Sequence, residues 1–81
     1  MTLTDIKTIR FYPCTGFGSA GRGAVFDLAD GSSFHGGYGA TDEEAILESL
    51  VYADWTFDAA FDAVGDVNRL IRTGAIRVVR D

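Results

Sequence analysis

Residues 39–66 read GATDEEAILESLVYADWTFDAAFDAVGD, and this stretch combines the longest apolar periodicity of the chain with its strongest local charge. Apolar side chains recur along it in alternating steps of four and three residues, which is the spacing of one face of an α-helix. The series is Ile46, Leu50, Ala53, Phe57, Ala60, Val64, Val67 and Ile71. The sequence therefore predicts a helical region that packs one side on a core.

The start of this helical region carries a capping box. Thr41 precedes the first turn and Glu44 follows three residues later. In this motif the hydroxyl accepts from the Glu44 amide and the carboxylate reaches back to the Thr41 amide. Asp42 and Glu43 occupy the first turn, where the positive end of the helix dipole favours acids.

A break is expected inside the helical region, because one helix over residues 42–72 would be about 45 Å long, too long for so small a domain. Asp54 or Thr56 is suited to cap a second helix, and Gly65 followed by Asp66 is a second possible breakpoint. We predict helices near residues 42–53 and 57–72.

The same stretch carries eight acidic residues and no Lys or Arg: Asp42, Glu43, Glu44, Glu48, Asp54, Asp58, Asp62 and Asp66. Helical geometry places Glu44 and Glu48 opposite the Ile46/Leu47/Leu50 side, and Asp62 and Asp66 nearly opposite the Phe57/Phe61/Val64 side with Asp58 on their flank. Like charges four residues apart cost about 0.2–0.5 kcal/mol each. The predicted partner-binding residues are Glu44, Glu48, Asp58, Asp62 and Asp66; the alternative is an ordinary solvated face, with Asp66 serving only as a cap.

Composition indicates one folded domain over residues 1–81. The chain is 47% hydrophobic with six Phe, which argues against disorder. Cys14 is the only cysteine, so an intracellular, cytoplasmic location is expected rather than a disulfide framework. No signal peptide or membrane-spanning run is recognisable, so no membrane association is predicted.

Charge is segregated along the chain. Residues 1–39 are neutral, residues 40–66 carry −8, and residues 67–81 carry +3 from four Arg against Asp81, which gives the net charge of −5. Such a molecule repels nucleic acid on its helical side and attracts a basic partner there. Direct binding of DNA or RNA is therefore not expected.

Strands are predicted at residues 4–12, 22–29, 32–39 and 75–80. A type I turn with Gly31 as a bulge would pair Phe26 with Phe34 and gather one apolar face, consisting of Ala24, Phe26, Leu28, Phe34 and Tyr38. Gly74 suits a helix C-terminus. The element order is then β-β-β-α-α-β.

The predicted architecture is an α+β sandwich. Its sheet is four-stranded and antiparallel, with the last strand beside the first and both helices packed on one face.

The motifs that suggest catalysis lack the context that catalysis needs. Residues 16–21 match G-x-G-x-x-G, but a strand follows where a dinucleotide site requires a helix, so a loop is predicted, with Phe17 as a possible contact residue. Cys14 and His35 have no third orienting group, and Glu44 with Glu48 lies on a convex helix surface rather than in a cleft. We predict no enzyme activity, no cofactor and no metal site. Trp55 is expected in the core, while Tyr52 is left open between core and interface.

Residues 36–46, GGYGATDEEAI, resemble the strand-into-helix segment of HicB-type antitoxins. The resemblance covers this segment and the preceding hairpin, while the second part of the chain lacks a recognisable DNA-binding tail. It implies neutralisation of a small RNase toxin.

The whole chain, being short, acidic, single-domain and without a catalytic motif, is similar in profile to small phage-encoded anti-CRISPR proteins. That similarity implies a stoichiometric inhibitor in the bacterial cytoplasm, docked on a type I CRISPR Cascade complex or its nuclease. Its acids would occupy Lys and Arg sites that otherwise hold DNA phosphates, as a DNA mimic does. This inhibitor, as a monomer or homodimer, is the main hypothesis. An antitoxin or a structural homo-oligomeric phage protein is the alternative.

Overall fold

The computed structural model describes residues 1–15 and 21–81. A short 3-10 turn at Leu3–Asp5 leads into strands β1 (Ile6–Pro13), β2 (Arg22–Leu28) and β3 (Ser33–Gly39). Helices α1 (Asp42–Tyr52) and α2 (Phe57–Thr73) follow, and β4 (Arg77–Arg80) ends the fold. The predicted α+β element order is confirmed. Phe17 and the glycine-rich motif, apart from Gly21, lie outside the described residues.

The four strands form one sheet in the order β3-β2-β1-β4. The pairs β1–β2 and β2–β3 are antiparallel, and β4 lies beside β1 as predicted. Its direction differs from the prediction, because β4 runs parallel to β1, with Thr8 opposite Arg77 and Phe11 opposite Arg80. The sheet is therefore mixed, not wholly antiparallel.

The direction of β4 follows from the path of the helices. Helix α1 runs back along β3, since Gly39 lies against Glu44 near its start and Gly36 against Ser49 near its end. Helix α1 therefore ends near the strand ends at which β1 and β3 begin. Helix α2 starts there and packs on α1, and it delivers the chain to Arg77, opposite Thr8 near the start of β1. The end of α2 lies there too, since Leu70 and Ile76 line one pocket with Leu3 and Ile6. The chain therefore enters β4 from the end of the sheet where β1 begins.

The β2–β3 hairpin has the predicted bulged turn. Gly31 has φ 88°, its amide donates to the Leu28 carbonyl at 3.0 Å, and Phe26 pairs with Phe34. Further along, β2 advances two residues from Val25 to Gly23 while β3 advances three, so β3 contains a second bulge. The extra residue reverses which side chains face the helices.

The second bulge corrects the position of Tyr38, which was predicted on the apolar inner face. Gly37 and Gly39 lie against α1, so Tyr38 between them points to the opposite face. There its ring contacts Tyr12 edge to face, with centroids 6.4 Å apart. A one-residue irregularity of this kind has no signature in the alternation of the sequence.

The helix break lies at residues 53–56, the first of the two predicted positions. Asp54 adopts φ 69°, and the Thr56 hydroxyl accepts from the Ala59 amide at 3.2 Å to begin α2. Helix α2 continues through Gly65 and ends at Gly74, which has φ 85°. The predicted cap of α1 is also present, since Thr41 accepts from the Glu44 amide, but the Glu44 carboxylate accepts from Ala40 rather than from Thr41.

The core lies between the sheet and the two helices. Ile9, Phe11 and Phe26 from the sheet meet Ile46 and Leu50 of α1. Trp55 is partly buried against this cluster, as predicted, whereas Tyr52 is exposed.

The buried residues of α2 are Ala60, Ala63 and Val67, of which Ala60 and Val67 were predicted to face the core. Phe57 and Phe61, predicted to face the core, are 59% and 64% exposed. Small side chains at the contact allow the helix to lie close to its neighbours, where a phenyl ring would hold it away. The predicted Phe57/Phe61 side is therefore wrong.

Helix α1 lies directly on β3 because the strand presents glycines to it. A methyl group at Gly36 would overlap the Ser49 side chain, and one at Gly37 would overlap Glu48. The fully buried Ser49 hydroxyl accepts from the Gly37 amide at 2.9 Å and donates to the Ala45 carbonyl at 2.6 Å. Ser49 thereby satisfies a backbone donor that the close packing removes from water.

Replacing Ser49→Ala is expected to lower the free energy of unfolding by about 1–3 kcal/mol, because the buried Gly37 amide loses its acceptor. Urea denaturation measures this loss. The control Ser33→Ala removes an exposed hydroxyl bonded to Asp27 and should cost less than about 0.5 kcal/mol. Equal losses in the two variants would contradict the role assigned to Ser49.

Candidate interaction surface

The two predicted acidic residues of α1 are both exposed. The Glu44 carboxylate accepts from the Ala40 amide at 2.9 Å and so helps to cap the helix. Glu48 forms no ion pair or hydrogen bond with any described residue, although its Cβ and backbone lie against Gly37. The backbone and Cβ of Glu48 are therefore packed against β3, while its carboxylate is available to contact a partner.

The three predicted acidic residues of α2 are not equivalent. Asp58 and Asp62 are exposed, and neither is paired with a Lys or Arg of the described residues. Asp66 is half-exposed and forms an ion pair with Arg69 at 3.0 Å. The acidic row is therefore partly neutralised at Asp66 and open at Asp58 and Asp62.

Four exposed aromatic side chains lie on the same two helices and the adjoining strand. Tyr38 is 41% exposed, Tyr52 57%, Phe57 59% and Phe61 64%. Phe57 and Phe61 stack on each other with centroids 6.2 Å apart. Exposed aromatic side chains beside charged ones are typical of the residues that anchor protein interfaces.

Helical periodicity assigned Phe57 and Phe61 to the core, so their exposure was not predicted from the sequence. The signal that would have found them is the competing small-residue stripe of Ala60, Ala63 and Val67. That stripe has the same helical spacing but turns Phe57 and Phe61 outward.

A shallow groove of about 230 Å³ adjoins the acidic side of α1. Its walls are formed by Tyr38, Glu44, Leu47, Glu48 and Tyr52. The groove joins acidic and apolar groups beside β3.

We call the set Glu44, Glu48, Tyr52, Phe57, Asp58, Phe61 and Asp62 the acidic-aromatic surface.

A separate acidic residue, Asp42, links three elements at one end of the sheet. Its carboxylate binds Arg22 of β2 at 2.6 Å and Arg80 of β4 at 2.5 Å. The Arg80 guanidinium also lies over the Phe11 ring, 5.0 Å from its centroid. The hydrogen bond from Arg80, assisted by Arg22 and opposed by partial burial, lowers the pKa of the Asp42 carboxyl below its ordinary value of 3.8.

Among the described residues, no ion pair involves an acidic residue of the acidic-aromatic surface. Within residues 1–15 and 21–81 the salt bridges join Arg10 to Asp27, Arg69 to Asp66, and both Arg22 and Arg80 to Asp42. Thus Arg80, one of the C-terminal arginines, is held at Asp42. Its charge acts there instead of at Glu48, Asp58 or Asp62.

No group of three or more His, Cys, Asp or Glu side chains in the described ranges is placed to hold a metal ion. Over the same ranges, no helix is both long and apolar enough to cross a membrane. His35 is exposed on the face of the sheet away from the helices, and Cys14 is partly buried.

The substitution Asp42→Asn is expected to lower the free energy of unfolding by about 1–2 kcal/mol at pH 7, because it removes the charge from two Arg contacts. The folded pKa of Asp42 lies below its unfolded value, so this stability is present above pH 3.8 and is lost as the pH falls through the folded pKa. Urea denaturation at several pH values measures it. Asp62→Asn is the matched control and should keep the acid sensitivity of the unmodified protein, whereas Asp42→Asn should lose part of it. An equal dependence of the free energy of unfolding on pH in the two variants would contradict the prediction.

Compared with family models, with curated proteins and with solved structures, the chain shows no match to any of the three. The resemblances to anti-CRISPR proteins and to HicB-type antitoxins therefore rest on the sequence features given above. The acidic-aromatic surface is the feature from which a function can be argued.

Proposed function

We propose that this protein is a non-enzymatic inhibitor that occupies a basic, nucleic-acid-binding surface of a partner through its acidic-aromatic surface. The observation that carries the proposal is a set of exposed carboxylates, Glu48, Asp58 and Asp62, that form no ion pair with a described Lys or Arg and lie beside exposed aromatic rings. The profile resemblance to anti-CRISPR proteins supports a type I CRISPR effector complex as the partner, with the inhibitor acting in the bacterial cytoplasm.

Electrostatics supports competition with nucleic acid. Proteins bind DNA largely through Lys and Arg contacts to phosphates, and these contacts supply much of the affinity. A surface that places carboxylates on such cations removes the sites that phosphates would occupy. Complementary charge also accelerates association and makes the rate fall with salt.

The aromatic residues supply what charge alone does not. Exposed ion pairs contribute little net free energy because water and salt screen them. Burial of Tyr52, Phe57 and Phe61 against a partner would add an apolar contact that salt does not screen. Carboxylates around these rings would then set the orientation and the choice of partner.

The triple variant Glu48→Gln/Asp58→Asn/Asp62→Asn is expected to bind a type I CRISPR effector complex at least tenfold more weakly, with a shallower dependence of affinity on salt. Titration at two salt concentrations, with displacement of target DNA, measures both quantities. The control Asp5→Asn/Asp30→Asn/Asp81→Asn changes net charge by the same amount on other parts of the chain and should bind as the unmodified protein does. Equal weakening in both triple variants, or no weakening in the first, would overturn the electrostatic proposal.

Replacing Phe61→Ala is expected to weaken the same complex at least fivefold while changing the free energy of unfolding by less than about 1 kcal/mol, because the ring is 64% exposed. Calorimetry of binding and urea denaturation separate the two effects. A variant that loses stability but keeps its affinity would show that Phe61 serves the fold.

Pull-down from a bacterial host followed by mass spectrometry distinguishes the partner classes. Capture of CRISPR effector subunits supports the proposal. Capture of a small basic RNase instead would support the antitoxin alternative, and recovery of the chain with itself alone would support a homo-oligomer.

A further inference from the structure

The strand β3 is an end strand of the sheet, next to the groove on α1. It pairs with β2 on one side, and no strand of the described residues lies on its other side. Tyr38 of β3 forms one wall of the groove, and Glu44, Leu47, Glu48 and Tyr52 of α1 form the rest. The backbone edge and the groove are thus neighbouring parts of one surface.

The hairpin register shows which backbone groups of β3 face outward. The Leu28 amide donates to the Ser32 carbonyl at 2.8 Å, so these residues form a hydrogen-bonded pair. Bonded and non-bonded pairs alternate in an antiparallel ladder. Phe34 is therefore bonded to β2, while Ser33 and His35 direct their N–H and C=O groups away from it. Both residues are exposed.

The edge of β3 lacks most of the features that prevent strand pairing. Natural edge strands are commonly blocked by Lys, Pro or very short length. Strand β3 spans seven residues and contains no Pro, Lys or Arg. The other edge strand, β4, has only four residues and carries Arg77 and Arg80. The β3 edge is therefore the one that is open to another strand, although its second bulge interrupts the ladder beyond His35.

Charge selects the kind of strand that fits. Glu44 and Glu48 flank the groove, so a second copy of this chain paired through β3 would bring like charges together. An extended segment with Lys or Arg at alternate positions instead directs those side chains to the α1 side of the new strand. Their aliphatic stems would lie on Leu47 and Tyr52, and their charged ends would reach the two carboxylates.

We infer that the β3 edge and the adjoining groove bind an extended, basic peptide segment as an added fifth strand. The backbone of Ser33 and His35 would supply the main-chain hydrogen bonds, and Glu44 and Glu48 would supply the preference for cations. The inference rests on the proposed function in one respect: it assigns this segment to the basic partner. It adds that the partner contributes an extended strand.

The test uses the synthetic peptide TKVKVKT, blocked at both ends, in which the Lys residues alternate. Its addition to the isotopically labelled protein should shift the amide resonances of Tyr38, Leu47 and Tyr52. Exchange of the Ser33 and His35 amide protons should slow at least tenfold. The matched peptide TEVEVET should do neither, since its carboxylates meet Glu44 and Glu48. Shifts confined to the α2 acids would overturn the inference.

Two variants separate backbone pairing from simple attraction of charge. His35→Pro removes an outward N–H that makes no bond to β2, and it should weaken TKVKVKT binding at least tenfold, whereas His35→Ala should bind normally. A TKVKVKT peptide methylated on alternate amide nitrogens keeps the protein unchanged and should also lose at least tenfold in affinity. Undiminished binding of that methylated peptide would overturn strand addition even if His35→Pro failed to fold.

The remaining outcomes distinguish this inference from the proposed function. Protection of the Ser33 and His35 amides that grows with protein concentration in the absence of peptide would assign the edge to a second copy and overturn the inference. A partner that is weakened by Glu48→Gln/Asp58→Asn/Asp62→Asn but not by His35→Pro would support the proposed function and overturn strand addition. If the peptide binds through β3 but the triple variant binds the partner as tightly as the unmodified protein does, strand addition would be supported and the proposed function overturned.

Discussion

The close contact between α1 and β3 is the constraint on which the rest of the structure depends. Gly36 and Gly37 leave no side chain between strand and helix, and the Ser49 hydroxyl accepts a hydrogen bond from the Gly37 amide. This contact fixes α1 along β3 and so fixes the end of the sheet at which α2 begins. The parallel direction of β4 depends on where α2 ends, because Leu70 and Ile76 lie beside Leu3 and Ile6 at that same end of the sheet.

The direction of β4 also determines how charge is distributed. Parallel pairing brings Arg80 to the end of the sheet where α1 begins, and there it meets Asp42 together with Arg22. An antiparallel β4 would have brought Arg77 to that end instead. The compensation of Asp42 ties the last strand to the first helix, and it holds Arg80 away from the exposed carboxylates Glu48, Asp58 and Asp62. One topological feature thus stabilises the fold and preserves the negative charge of the acidic-aromatic surface.

The same packing explains why large aromatic rings face solvent. Helix α2 makes its close contacts through Ala60, Ala63 and Val67, which leaves Phe57 and Phe61 on the outside. The helical surface therefore carries both anionic and aromatic groups, a combination suited to a basic partner with apolar contacts of its own. The open edge of β3 lies beside Glu44 and Glu48. Negative side chains of α1 are therefore close to the outward-facing N–H and C=O groups of this edge strand.

The sequence by itself determined the elements that depend on local chemistry. These are the caps at Thr41 and Thr56, the turn at Gly31, the helix end at Gly74 and the exposure of Glu48, Asp58 and Asp62. Only the tertiary structure decided the direction of β4, the side of the sheet on which Tyr38 lies, and the exposure of Phe57 and Phe61. Helical periodicity is satisfied by several overlapping stripes, and strand alternation is reversed by one added residue, so neither pattern selects a packing partner. That selection was made by the fit of small residues between the elements, because the distance at which two backbones can approach depends on both surfaces at once.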